Sequence, residues 1–230
     1  MRRDVVVLRT SITVTAAVAA TLAVLTACGP VQMGQAAVVG SQGITTATLA
    51  DEVSNLESSY HASKAPIQLQ FPLAQAPQQV LGWLVRFRIR EQMAARNGIT
   101  VTPAQSEQAR AAIAAQARQN RATLSDLAVA NGLPPDLLPE LGRYQAIEAA
   151  VVSKLDGGTL PSSPAGLSAL SKEFDAVQCH AAKSLAIKVN PQFGQMDYSQ
   201  LSIVPSALTL SAPEGGAPTP SAGQRLTPPC

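Results

Sequence analysis

Three cysteines and two histidines are the most reactive side chains in this 230-residue chain. Of these, Cys28 has the most telling surroundings. It directly follows Thr26 and Ala27, which close a mostly apolar run from Ile12 to Leu25, and that run is preceded by Arg2, Arg3 and Arg9. A basic start, a short apolar stretch and small residues at its end mark an export leader cut at that point. The run is also shorter than the ~20 residues that a membrane-spanning helix needs. Cys28 would then stand first in the mature chain.

Leu25-Thr26-Ala27-Cys28 resembles the bacterial lipobox, in which the cysteine thiol receives a diacylglyceryl group before the leader is removed. The resemblance implies a signal peptide over residues 1–27, lipid attachment at Cys28 and a lipidated tether over residues 28–35. The protein would then sit on the extracytoplasmic face of the cell membrane. One acyl chain holds a protein there marginally, at about 0.8 kcal/mol per buried CH₂, whereas two hold it stably. The whole chain carries 17 Lys+Arg against 15 Asp+Glu; removing residues 1–27 takes away Arg2, Arg3, Arg9 and Asp4 and leaves 14 of each. A charge-neutral body argues against nucleic acid as a partner.

The remaining candidates for chemistry are few. His61 and the adjacent Cys179-His180 are the soft ligands, and a tetrahedral zinc site wants about four with characteristic spacing. No serine stands in a Gly-x-Ser-x-Gly elbow, and no glycine-rich phosphate loop is present. Asp51, Glu52 and Glu57 read as dipole-favoured acids and the solvated face of a helix. The sequence thus assigns no catalytic residue, no cofactor and no metal. Once Cys28 carries lipid, Cys179 and Cys230 remain. They form a disulfide across 51 residues, stabilising by roughly 3 to 4 kcal/mol in the chain-entropy model, or Cys179 is a small buried apolar residue and Cys230 a terminal thiol. Both readings stand.

Stepping outward to the elements, residues 36–40 read as a strand and Gly40 to Gly43 as a turn. Thr45 or Thr46 then caps a helix with Leu49, Val53, Leu56 and Tyr60 in helical spacing. A connector with Pro66, Pro72 and Pro77 follows. The next helix ends at Asn97-Gly98 and carries Val80, Leu84, Phe87 and Met93 on a broad face, with Arg86, Arg88 and Arg90 as solvated edge residues. Thr102-Pro103-Ala104-Gln105 is a capping box with proline at the first helical position. Thr123-Leu124-Ser125-Asp126 caps a short helix that stops at Asn131-Gly132, a longer one follows Pro134-Pro135 to Gly157-Gly158, and a last one starts at Ser163-Pro164 with Leu167, Leu170, Phe174 and Val177 as its apolar positions. Residues 185–189 alternate as a strand, Asn190-Pro191 turns it, and residues 201–210 add a strand or lie on the surface. The Pro-, Gly- and Ser-rich stretch within residues 206–230 is expected to be a disordered tail. With aromatics at only 3%, the core must be built from Ala, Leu, Val and Ile.

The order of these pieces, from Ala37-Val38-Val39-Gly40 through Ala95-Arg96-Asn97-Gly98-Ile99-Thr100-Val101-Thr102 to Val189-Asn190-Pro191-Gln192-Phe193-Gly194, resembles the N-terminal domain of SurA-type chaperones. The closing motif is similar to that of short actinobacterial lipoproteins of that family. The resemblance covers most of residues 36–197. It implies a mostly α (α+β) fold over residues 36–205: five to six helices closed by a two-stranded pairing of residues 37–39 with residues 187–189. Only residues 156–184 stand where the family carries its parvulin prolyl isomerase domain, which is too few, so no isomerase activity follows. The implied function is a membrane-anchored holdase that binds unfolded or envelope proteins without catalysis, at an apolar groove near Trp83, Phe87 and Tyr144. The alternative is an accessory or scaffold lipoprotein with one fixed partner.

Overall fold

The computed structural model describes residues 33–63, 66–206 and 230. Cys28, the leader and residues 207–229 lie outside the described residues. The first element is strand β1 (Gln35–Val39), which turns at Gly40-Ser41 into β2 (Gln42–Thr45). Gly40 has a φ of +61°, the left-handed backbone that a two-residue hairpin turn favours. The turn is therefore shorter than Gly40 to Gly43, and Gly43 already belongs to a strand. β1 pairs antiparallel with β2 on one side and with β3 (Ile187–Val189) on the other, with Ala37 opposite Val189 and Val39 opposite Ile187. β1 thus carries β2 and β3 on its two sides, and β2 makes the sheet three-stranded rather than two-stranded.

Six helices stand between those strands. α1 (Thr46–Ala62) starts at Thr45, whose hydroxyl accepts from the Thr48 amide at 3.0 Å. α2 (Ala76–Arg96) follows an extended connector and a 3₁₀ turn over Leu73–Gln75. α3 (Pro103–Gln119) has the full capping box: the Gln105 amide donates to the Thr102 hydroxyl and the Thr102 amide donates back to Gln105 Oε1. α4 (Leu124–Ala130) repeats the device with Thr123 and Asp126. A 3₁₀ turn over Pro135–Leu137 then leads into α5 (Leu138–Leu155), and Ser163 caps α6 (Pro164–Ser184). The fold is mostly α with short antiparallel strands.

α2 is the axis of the body. It packs against α1, α5, α6 and the sheet, and Val80, Leu81 and Met93 are fully enclosed. Around them Leu49 and Leu56 of α1, Ile147 and Val151 of α5, Phe174 and Ala182 of α6 and Val39 of β1 form the main core. A smaller cluster, Phe87, Ala128, Leu133, Leu137 and Leu141, sits where α2, α4 and α5 meet. α3 lies against α5 so closely that a Cβ on Gly142 would fall 2.6 Å from the Ser106 carbonyl oxygen and 2.9 Å from Arg110 Cβ. Glycine is required there by the backbone approach.

The last helix departs from its expected face. Leu170 and Phe174 are buried, but Leu167 is 48% exposed, because the first turns of α6 project beyond the body. The helix also continues five residues past Cys179, so the strand begins only at Ile187. After β3 the Asn190 side chain orders a turn, accepting from the Gln192 amide and donating to the Gln35 carbonyl. The Val189-to-Gly194 motif is therefore the end of a strand followed by a turn. β4 (Gln195–Asp197) and β5 (Ser202–Val204) form a second antiparallel hairpin, and Ile203 is buried against the main core. Cys179 is disulfide-bonded to Cys230 with their Cα atoms 5.2 Å apart, and Cys230 packs against the main core.

Candidate functional site

α2 places Trp83 and Phe87 one turn apart, and α5 brings Tyr144 against both. The ring centroids are 5.8 Å apart for Trp83 and Phe87, 6.3 Å for Trp83 and Tyr144, and 5.8 Å for Phe87 and Tyr144. The two contacts to Tyr144 are edge-on, the arrangement that aromatic quadrupoles favour. The three residues singled out from the sequence therefore meet in space. Phe87 is 8% exposed, Trp83 and Tyr144 are half-buried, and all three pack with the smaller apolar cluster. The Trp83 indole N–H is already committed to the Asn131 carbonyl at 3.0 Å.

Arginines extend the stack. Arg86 lies 4.6 Å over the Trp83 ring and donates from Nε to the Leu201 carbonyl at 3.2 Å. Burial lowers its pKa, opposed by Tyr144, yet a guanidinium stays protonated. Arg90 is only 2% exposed, which corrects its expected place at a solvated edge. Its guanidinium lies 3.9 Å over Tyr144 and 4.9 Å over Phe174, and Nη1 stands 3.2 Å from a Glu148 carboxylate oxygen. A buried cation without partners would be costly, and here two rings, the Glu148 carboxylate and the Gln178 Oε1 that accepts from Nη2 at 3.5 Å hold it. The signal was present in the sequence: Trp83, Phe87 and Arg90 recur at four- and three-residue steps, hence on one helical face. Arg88 alone of the three arginines is exposed.

An open cleft of about 450 Å³ lies elsewhere, between the end of α2 at Arg96 and Asn97 and the α6 face that carries Glu173, Val177 and His180. Arg96 donates to the Ser184 hydroxyl at its rim. His180 is exposed and His61 is distant in sequence on α1, where its ring meets Tyr60 edge-on. Among the described residues, no group of three or more His, Cys, Asp or Glu side chains could hold a metal ion.

The acids of α1 are not at its first turn, which holds no acidic residue. Glu52 is half-buried, and one of its carboxylate oxygens is enclosed without a hydrogen-bond partner. Burial raises its pKa, and Asp136, Glu140 and Asp51 raise it further. Between α2 and α5, Glu91 and Arg143 form a two-pronged ion pair, and Arg143 also donates to the Val101 carbonyl. The Glu91–Arg143 pair ties α2 to α5. No family model matches the chain, and no curated protein matches it.

Proposed function

We propose that the protein is a lipid-anchored, extracytoplasmic holdase that binds exported or unfolded polypeptide without catalysis. The observation that carries the reading is the antiparallel pairing of Ala37 with Val189 and of Val39 with Ile187 around the helices, the closure that the resemblance to the SurA N-terminal domain implies. Leu25-Thr26-Ala27-Cys28 supports the diacylglyceryl anchor at Cys28 and a place on the outer face of the cell membrane. Two acyl chains make such an anchor stable. Metabolic labelling with a palmitate analogue tests the anchor: label on the native protein and none on Cys28→Ala is expected. The holdase is tested with the purified full-length protein, which is expected to delay the aggregation of several unrelated unfolded clients. No delay for any of them refutes it.

The packing of Trp83, Phe87 and Tyr144 favours a second reading, an accessory lipoprotein that scaffolds one envelope partner. Rings already packed against their neighbours have less surface to offer to varied clients. Crosslinking in the native envelope separates the two readings, because a scaffold yields one dominant partner and a holdase yields many.

A further inference from the structure

The connector before α2 is built like a bound peptide. Ile67, Leu69, Phe71 and Leu73 are half-buried against the main core, while Pro66, Gln68, Gln70 and Pro72 between them are exposed. That period of two belongs to an extended chain lying on an apolar surface. Among the described residues, one backbone-to-backbone hydrogen bond ties residues 66–72 to the body, from the Gln70 N–H to the Ala130 carbonyl at 2.8 Å.

The end of α4 is shaped around this strap. Ala130 supplies the carbonyl to Gln70, Asn131 supplies the carbonyl that holds the Trp83 indole, and Gly132 lies against the Phe71 ring. A Cβ on Gly132 would come within 3.0 Å of that ring and 2.8 Å of Gln79 Cβ, and the φ of +73° disfavours any other residue there. Three successive backbone positions thus provide an acceptor, a fixed indole and a seat for an aromatic side chain.

We propose that the channel beneath residues 66–73 is an interaction surface for an extended polypeptide with large apolar side chains at every second position, and that the strap fills it in cis. The inference rests on the holdase reading and gives it a location and a client pattern. Backbone hydrogen bonding at Ala130 takes any sequence, and the alternating seats select apolar residues. The strap is covalently attached, so it competes at the ~mM effective concentration of a short tether and masks weaker binding from outside.

The probe is a fluorescein-labelled octapeptide that reproduces residues 66–73, set against one of the same composition with its apolar residues contiguous. Full-length protein carrying Ile67→Ser, Leu69→Ser and Phe71→Ser is expected to bind the alternating peptide at least tenfold more tightly than the native protein does, and at least tenfold more tightly than it binds the contiguous one. Equal binding by the two proteins, or equal binding of the two peptides, overturns the proposal. So does a variant that instead dimerises in light scattering without taking up peptide, since the occupant is then a second copy. Should the triple variant fail to fold, native-state hydrogen exchange decides: the Gln70 amide is expected to exchange at least tenfold faster than the amides of α2, and equal protection overturns the channel. Peptide uptake without any delay of client aggregation removes the holdase and keeps the channel, whereas delay without uptake removes the channel alone.

Discussion

Along α2, Val80, Leu81 and Met93 face an aliphatic core, whereas Trp83, Phe87 and Arg90 turn toward rings and a guanidinium. The first region is held by area removed from water, at about 25 cal/mol per Å², with no demand on direction. The second depends on orientation: edge-on rings, an indole with one acceptor, and a cation laid over two faces and beside Glu148. Shape is the currency of one and geometry of the other. The two should therefore respond differently when volume is kept and chemistry is changed.

The largest expected effect is in the aliphatic region. Leu81→Ala removes a side chain with no exposed surface and should destabilise by about 4 kcal/mol, read as a lower urea midpoint at unchanged slope. Next is Arg90→Ala, expected to cost about 3 kcal/mol; Glu148 is 38% exposed, so its stranded charge is partly hydrated and the loss falls at the lower end for a broken buried pair. Arg90→Met sharpens the comparison. It keeps an apolar filling between Tyr144 and Phe174, and should cost only about 1 kcal/mol if volume dominates. A methionine variant as unstable as the alanine variant would show that the cation itself holds the stack. Smaller than the loss in Arg90→Ala is that in Gly142→Ala, which must move α3 away from α5 and should cost about 2 kcal/mol by the same measurement.

The parts that local chemistry dictates were readable from sequence. Thr102 with Gln105 and Thr123 with Asp126 are short-range devices, and α3 and α4 start where those caps stand. β2 was missed because Gln42-Gly43-Ile44-Thr45 has one buried side chain and is a strand by virtue of its pairing with β1. Arg90 was misplaced because charge was weighed above position. A guanidinium can be enclosed only when Tyr144, Phe174 and Glu148 arrive from other helices, 54 to 84 residues on, and nothing in the local sequence announces them. For the candidate site, Trp83, Phe87 and Tyr144 do meet, and they pack with the smaller apolar cluster as aromatic side chains on apolar helix faces ordinarily do. Leu167 failed for a related reason: its spacing is helical, but α6 outruns the body it packs on.

The weakest expected effect compares two carboxylates. Glu52 has its pKa raised above the ordinary 4.5, first by burial and then by Asp136, Glu140 and Asp51, so the folded protein holds that proton more tightly than the unfolded chain does. Its ionisation therefore costs stability as pH rises from about 4.5 through the raised value, and the cost persists at neutral pH. Asp197 has its pKa lowered below the ordinary 3.8, chiefly by the Ser199 hydroxyl that donates to Oδ1 at 2.6 Å. Its contribution is in place above 3.8 and is lost as pH falls through the lowered value. The two groups thus act in adjacent windows with opposite slopes. Glu52→Gln should match the native protein below pH 4 and exceed it increasingly above pH 5, whereas Asp197→Asn should be less stable at neutral pH and converge with the native protein in acid. Urea midpoints for the three proteins across this range test both signs, and a Glu52→Gln gain that does not change with pH would assign the effect to packing rather than to charge.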